Sequence, residues 1–335
     1  MSMDATLKGI VGDRLRHDEP MATRVNFRIG GRADRFVTVE TADETAAVVT
    51  ALHAAKSPYF IMGGGSNVLV ADQGYRGTVV QIALRKHAID GEQVTADAGV
   101  LSAFLARQTV EAGLEGFEWA IGLPGTVGGA VRGNAGCFGG ETKDTVTSVD
   151  VLAFKEGSSK VKRETWDAER CAFGYRDSAF KHLSPPPVIL SVTLALHARD
   201  TAGAKKKMEQ ILKSRKEEQP LGSSSAGCIF KNIALTGDEN LKKLWQDANI
   251  PPQFLSQGML PASWIVEQAD LKGFRIGDAQ VSERHGNFCV NAGHATAEQV
   301  VELIAVVKTR IRQKYGLRLQ EIGRASCRER VCQYV

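Results

Sequence analysis

One thiol closes a run of small residues in Ser223-Ser224-Ser225-Ala226-Gly227-Cys228, and Ile229-Phe230-Lys231-Asn232 follows at once. Small residues let a backbone approach a bound molecule closely, and a Cys at such a bend can present its S–H to that molecule. The same pattern fits a buried cysteine entering a strand, since free Cys is among the most buried residue types. What else the chain brings to that thiol decides between the two.

Two glycine-rich segments offer different chemistry. Gly63-Gly64-Gly65-Ser66-Asn67 follows a short apolar run, so consecutive backbone N–H groups can face an anion, with Ser66 and Asn67 as further donors. No Gly-Lys-Ser/Thr follows, and Val68 stands where a dinucleotide fingerprint carries its third glycine. Alone, this segment is either a tight turn or a phosphate cradle. The second segment, 122–136, contains Gly122, Gly125, Thr126, Gly128 and Gly129, then Asn134 and Ala135. Two such loops, each beside a strand, suit a diphosphate held between two lobes.

The elements that must position these residues are legible in part. A capping box from Thr41 to Glu44 opens a helix to about 55, with Ala47, Val48, Ala51 and Leu52 on one face. Strands are expected at 59–62, 68–70 and 77–82, a helix at 102–112 stopped by Gly113, and strands at 149–154 and 188–196. Segment 122–136 is too glycine-rich for a regular element. A basic amphipathic helix at 203–217, with Met208, Ile211 and Leu212 among its lysines, ends near Pro220 and links to a second domain. There a helix is expected at 262–269 and short strands at 274–276 and 288–290. A closing helix begins at Thr296 with Gln299 in the box position and turns Val300, Leu303, Ile304, Val307 and Ile311 inward. The polar, proline-containing stretch 233–259 reads as an insertion.

At 335 residues, 43% hydrophobic and 24% charged, the chain has the length and composition of two globular domains. No apolar run reaches the ~18 residues of a membrane span, and the N-terminus lacks the charge and apolar stretch of a signal peptide, so no membrane and a cytoplasmic location are expected. The net charge of +4 is slight; the lysines at 205–207, with Lys213, Arg215 and Lys216, form a solvated helix face rather than a nucleic-acid site. Six cysteines without CxxC spacing or nearby histidines indicate neither a metal nor a disulfide framework. Residues 321–335 lose all apolar periodicity and resemble the translation of a sequencing-library adapter, so the native sequence is expected to be cut short near Gln320.

Phe27-Arg28-Ile29-Gly30-Gly31, the loop at Gly63, Gly122-Leu123-Pro124-Gly125-Thr126-Val127-Gly128-Gly129, Asn134-Ala135-Gly136, Tyr175-Arg176-Asp177-Ser178, Gly227-Cys228-Ile229-Phe230-Lys231-Asn232, Leu271-Lys272-Gly273 and Ser282-Glu283-Arg284-His285-Gly286-Asn287 occur in that order. Together they resemble the UDP-N-acetylenolpyruvoylglucosamine reductase family over residues 21–320. The resemblance implies an α+β fold: a two-lobed FAD-binding domain of the vanillyl-alcohol-oxidase (PCMH) type at 21–200, and a smaller C-terminal α+β substrate domain at 205–320. It implies NADPH-dependent, FAD-mediated reduction of an enolpyruvyl nucleotide sugar in peptidoglycan synthesis, with FAD bound non-covalently and no protein partner indicated.

By the same resemblance Arg176 matches a catalytic arginine, and Cys228 a proton donor that is often Ser in relatives. A thiol of pKa ~8.5 is a better acid than an alkanol, which keeps that role. Gly63, Gly64, Gly65, Ser66 and Asn67, with Gly122, Gly125, Thr126, Gly128, Gly129, Asn134 and Ala135, become cofactor contacts. Tyr175, Lys231, Asn232 and His285 become substrate contacts. A third catalytic group, a Glu shortly after Leu319, is matched only by Glu321, one position early and inside the anomalous tail. Two alternatives follow: another FAD-dependent oxidase of the same fold, or a flavin- or nucleotide-sugar-binding protein without turnover.

Overall fold

The computed structural model describes residues 2–154, 160–199, 201–220, 222–235 and 250–322. The chain divides into two compact units. The first comprises residues 1–19, 33–65 and 76–215; the second comprises 20–32, 66–75 and 216–335.

In the first unit a four-stranded sheet runs in the order Leu15–Pro20, Arg32–Val39, Tyr75–Ile82, Tyr59–Met62. Its last two strands are parallel, with Tyr59 opposite Thr78 and Met62 opposite Gln81. Parallel neighbours need a long crossover, and here that crossover is the glycine loop at 63–65 plus the 66–75 arm. A second, five-stranded sheet has the order Val161–Asp167, Val146–Phe154, Val188–Ala195, Gln93–Asp97, His87–Asp90 and is antiparallel throughout. Val188–Ala195 is its centre because Val188, Leu190, Val192 and Leu194 share one buried face. The helices Ala42–Ala54, Ser102–Glu111 and Val127–Gly133 pack into the same core through Val48, Leu52, Leu105 and Val131.

In the second unit a four-stranded antiparallel sheet runs Ser224–Cys228, Phe288–Asn291, Ala279–Val281, Arg275–Ile276. The helices Ala262–Gln268 and Ala297–Tyr315 cover it, burying Ile265, Leu303, Val307 and Ile311. Phe27, Ile29 and Leu69 are buried in that same core. The 66–75 arm is also tied by charge: the Asp72 carboxylate accepts from Ala297 N at 2.8 Å and Glu298 N at 3.0 Å, at the positive end of a 19-residue helix. Distant chain segments thus join one unit for reasons invisible to a contiguous reading of domains.

The closing helix has the expected Thr296–Gln299 capping box. The expected strands at 59–62 and 77–82 and the helix at 102–112 also form, within a residue or two. Four details differ. Segment 68–70 forms no strand; Val68, Leu69 and Val70 are buried by packing instead of by pairing. Segment 122–136 does contain a helix, Val127–Gly133, because Thr126 caps it and Val127, Ala130 and Val131 are buried, which outweighs the glycines. At Thr41 the box is one-sided: Glu44 N bonds Thr41 Oγ1, but the Glu44 carboxylate goes to Arg14 and to Glu40 N. Leu212 stays exposed, while Ala204 and Ile211 carry the buried face of Thr201–Glu218.

The edges of the expected insertion are ordered by each other: Ile233–Ala234 pairs with Met259–Leu260, beside the short helix Pro252–Gln257. Residues 236–249 lie outside the described residues. Among the described residues no helix is long and apolar enough to cross a membrane.

Candidate active site

The site residues fall on both units. In the first unit the two glycine loops meet backbone to backbone. A Cβ on Gly63 would stand 2.5 Å from Thr126 Oγ1, and one on Gly64 3.2 Å from Gly125 Cα. A Cβ at Gly63 would force the Thr126 hydroxyl to shift, and one at Gly64 would press tightly on the facing backbone. Gly128 is needed for a different reason: its Cβ would stand 2.7 Å from the Ala98 Cβ, while its N–H donates to Ala98 O at 2.9 Å. Val127 N is likewise bonded to Val100 O, so the first amides of this short helix are already satisfied by the chain. Gly122 lies under Arg215, whose Cδ would be 2.3 Å from an added Cβ.

The exposed members of these loops are Gly64, Asn67, Pro124 and Gly129. With Gly65 at φ +65° and Gly125 at φ +96°, both in conformations that favour glycine, the backbone turns sharply at both loops. Within the first unit Gly63, Gly64 and Gly65 and the facing Gly125 and Gly129 present backbone and no carboxylate. That chemistry fits the diphosphate of a dinucleotide.

Beyond the helix, Asn134 and Ala135 are committed within the protein. Asn134 is fully buried and left-handed at φ +40°, and its amide donates to Gly174 O at 2.8 Å and Glu141 Oε2 at 3.1 Å. Ala135 O accepts from Thr142 N and Thr142 Oγ1. The resemblance makes both residues cofactor contacts; the bonds they form within the chain build the wall around Arg176.

Arg176 sits at the tip of a two-residue turn closed by paired bonds between Gly174 and Asp177, and its φ is +55°. An L-residue in that region costs about 1–2 kcal/mol, and the turn is held by Lys181 Nζ donating to Arg176 O at 2.7 Å. The guanidinium donates to Gly136 O and, at 3.5 Å, to Asn134 O. It lies 5.3 Å from the Tyr175 ring centroid and 3.9 Å from Glu141 Oε1. Asp177 is occupied by His182 Nε2 at 2.7 Å, so a surface pair between Arg176 and Asp177 does not form. Burial opposes ionisation of Asp177, but bonds from His182 and the Ser178 N–H bring its pKa below the ordinary value. Arg176 borders a cleft of about 350 Å³ with Gly136, Cys137, Gly140, Glu141 and Lys143. Burial pushes the Cys137 thiol up, against the pull of Arg215 and Arg176.

In the second unit Cys228 is half-buried at the end of its strand. The register shifts between Ser225 and Cys228, where Gly227 adopts φ +86°, so a bulge re-aims the thiol. The following backbone is held from both sides. Asn287 accepts from Phe230 N and donates to Phe230 O, both at 2.8 Å. On the other side Phe230 bridges Glu321, Lys231 N donates to Gln320 O at 2.7 Å, and Ile322 N donates to Ile229 O at 2.9 Å.

Glu321 and Ile322 are therefore paired within the fold despite their place in the anomalous tail, and Lys308 Nζ bonds Glu321 Oε1 at 2.7 Å. Residues 323–335 lie outside the described residues. Asn232 Oδ1 accepts from Ala262 N at 3.1 Å, at the start of a helix. His285 Nδ1 accepts from Asn287 N at 3.2 Å, and burial lowers its pKa, which favours the neutral ring. Glu141 and the bracing role of Asn287 were missed from sequence, since neither lies in a pattern that announces its partner.

These features define a flavoprotein: residues 33–160 match the FAD binding domain family. Residues 219–322 match the UDP-N-acetylenolpyruvoylglucosamine reductase C-terminal domain. The chain belongs to the UDP-N-acetylenolpyruvoylglucosamine reductase family. It is 34% identical over 307 residues to the reductase of Caldanaerobacter subterraneus subsp. tengcongensis, covering 91% of each chain. It is 36% identical to that of Heliobacterium modesticaldum, covering 90% of this chain and 87% of the relative. The crystal structure of the Thermus caldophilus enzyme (MurB) is similar at 32% identity and TM-score 0.69, covering 92% of this chain and 96% of the other.

Proposed function

We propose that this chain is an NADPH-dependent reductase that converts the enolpyruvyl ether of UDP-N-acetylglucosamine to UDP-N-acetylmuramate, a peptidoglycan precursor. FAD, when bound, would supply the hydride chemistry between NADPH and C3 of the enolpyruvyl double bond. The residues that would hold it are Gly63, Gly64, Gly65, Ser66 and Asn67, with Gly122, Gly125, Thr126, Gly128 and Gly129 shaping the facing loop.

The chain's own residues must handle charge and one proton. Negative charge grows on the substrate carboxylate as C3 gains its hydride, and Arg176 meets it with a planar, permanently charged fork. Cys228 then gives its proton to C2, which completes addition across the double bond. The observation that best supports this reading is the Arg176 turn: a strained backbone, side-chain bonds to carbonyls, and a guanidinium bordering a cleft. Tyr175, Lys231, Asn232 and His285 would line the substrate, which has the size and charge of a nucleotide sugar. Its dependence on NADPH supports a cytoplasmic setting for the reaction.

The test is anaerobic mixing of the FAD-loaded protein with NADPH and then with substrate. NADPH should bleach the flavin absorbance, and the enolpyruvyl nucleotide sugar should restore it. Bleaching by a hydroxyl substrate without NADPH would instead indicate an oxidase, and no absorbance recovery a binding protein.

A further inference from the structure

Arg176 is a cation with a carboxylate, Glu141, close enough to neutralise it. A guanidinium and a carboxylate left to themselves close to a bidentate pair at about 2.8 Å. Here the nearest approach is 3.9 Å, between Arg176 Nη1 and Glu141 Oε1. The reason lies on the other oxygen. Glu141 Oε2 accepts from Asn134 Nδ2 at 3.1 Å and is paired with Lys143 Nζ at 3.0 Å.

The same Asn134 amide donates to Gly174 O at 2.8 Å, at the base of the turn that carries Arg176, while Asn134 Oδ1 accepts from Lys143 N at 3.0 Å. Its own carbonyl accepts from Arg176. One fully buried side chain therefore holds the turn and restrains its competing anion.

We infer that Asn134 is a positioning residue for Arg176: it fixes the 174–177 turn and keeps Glu141 off the guanidinium, so that the charge is available to a substrate carboxylate. This rests on the reading of Arg176 given above. Without the Asn134 amide, Glu141 is free to swing onto Arg176, and substrate must displace it.

Asn134→Gly is the variant of choice, because glycine keeps the left-handed end of the preceding helix while removing the side chain. Flavin content and the rate of bleaching by NADPH are read first, so that the substrate step is compared at equal flavin loading. Half-saturation by the enolpyruvyl substrate in the flavin-recovery step should rise about tenfold or more, and Glu141→Gln added to Asn134→Gly should reverse most of that rise. In an Arg176→Ala background Asn134→Gly should add less than a twofold effect. In the flavin-free protein, amide exchange at 174–177 should quicken.

Unchanged half-saturation in Asn134→Gly, or the full loss persisting in the Arg176→Ala background, overturns the inference alone. Normal flavin recovery by Arg176→Ala overturns the role of Arg176 and the inference with it. Should Asn134→Gly lose its flavin, exchange at 174–177 still decides: unchanged protection there removes the inference.

Discussion

Cys228 shows what a residue type in a pattern does and does not reveal. The small residues before it fit either a close approach or a buried cysteine, and did not announce that Gly227 would make a bulge or that Asn287 would brace Phe230. A side chain's partners come from elsewhere in the chain, and only the fold brings them together. Substitution separates the roles of the thiol. Cys228→Ser should retain substantial turnover, since a hydroxyl in the same place can still deliver a proton, while Cys228→Ala should let NADPH bleach the flavin but block its recovery by substrate. Stopped-flow absorbance reads both steps; normal recovery in the Ala variant would remove Cys228 from the reaction. Arg176 was legible from its motif, whereas its turn, its left-handed backbone and its restrained neighbour Glu141 were not.

Elements were legible wherever apolar period and capping chemistry agreed, as in Ala297–Tyr315 with its reciprocal Thr296–Gln299 bonds. They were not where tertiary contacts override local preference, as in Val127–Gly133. There Gly128 is held against Ala98, and Gly128→Ala should cost about 1–3 kcal/mol by overpacking, measured by chemical denaturation. The helix Ala42–Ala54 is joined to Arg14 through Glu44, whose carboxyl is held down at about 2 by the hydrogen-bonded guanidinium. Because the folded pKa lies below the unfolded one, this pair stabilises the fold above about pH 4.5 and the contribution is lost as pH falls through 2. After allowing for solvent screening it is worth about 1–2 kcal/mol. Glu44→Gln should thus lower stability by that amount at pH 7 and by almost nothing near pH 2. An equal deficit at both would mean that the hydrogen bonds, not the charge, hold the helix.

At the scale of the molecule the sequence announces two bodies but not their parts list. Phe27, Ile29 and Leu69 complete the core of the second unit, and Asp72 caps its longest helix. A fragment beginning at residue 216 should therefore lack a cooperative unfolding transition by circular dichroism; a sharp transition would show that the 20–32 and 66–75 segments are dispensable. Asp72→Ala, which removes both bonds at that helix start, should lower the midpoint of the second unit's unfolding through a loss of about 1–2 kcal/mol. There is also an order in time. The segment just after Cys228 acquires its neighbour on one side only when residues 320–322 are present. On the ribosome the chain's N-terminal unit can fold while these residues are still being added, as domains emerge in sequence. The segment after Cys228 is then among the last parts of the protein to be set, and a nascent chain stalled before residue 320 would have its glycine loops and its arginine turn without the clasp on Ile229, Phe230 and Lys231.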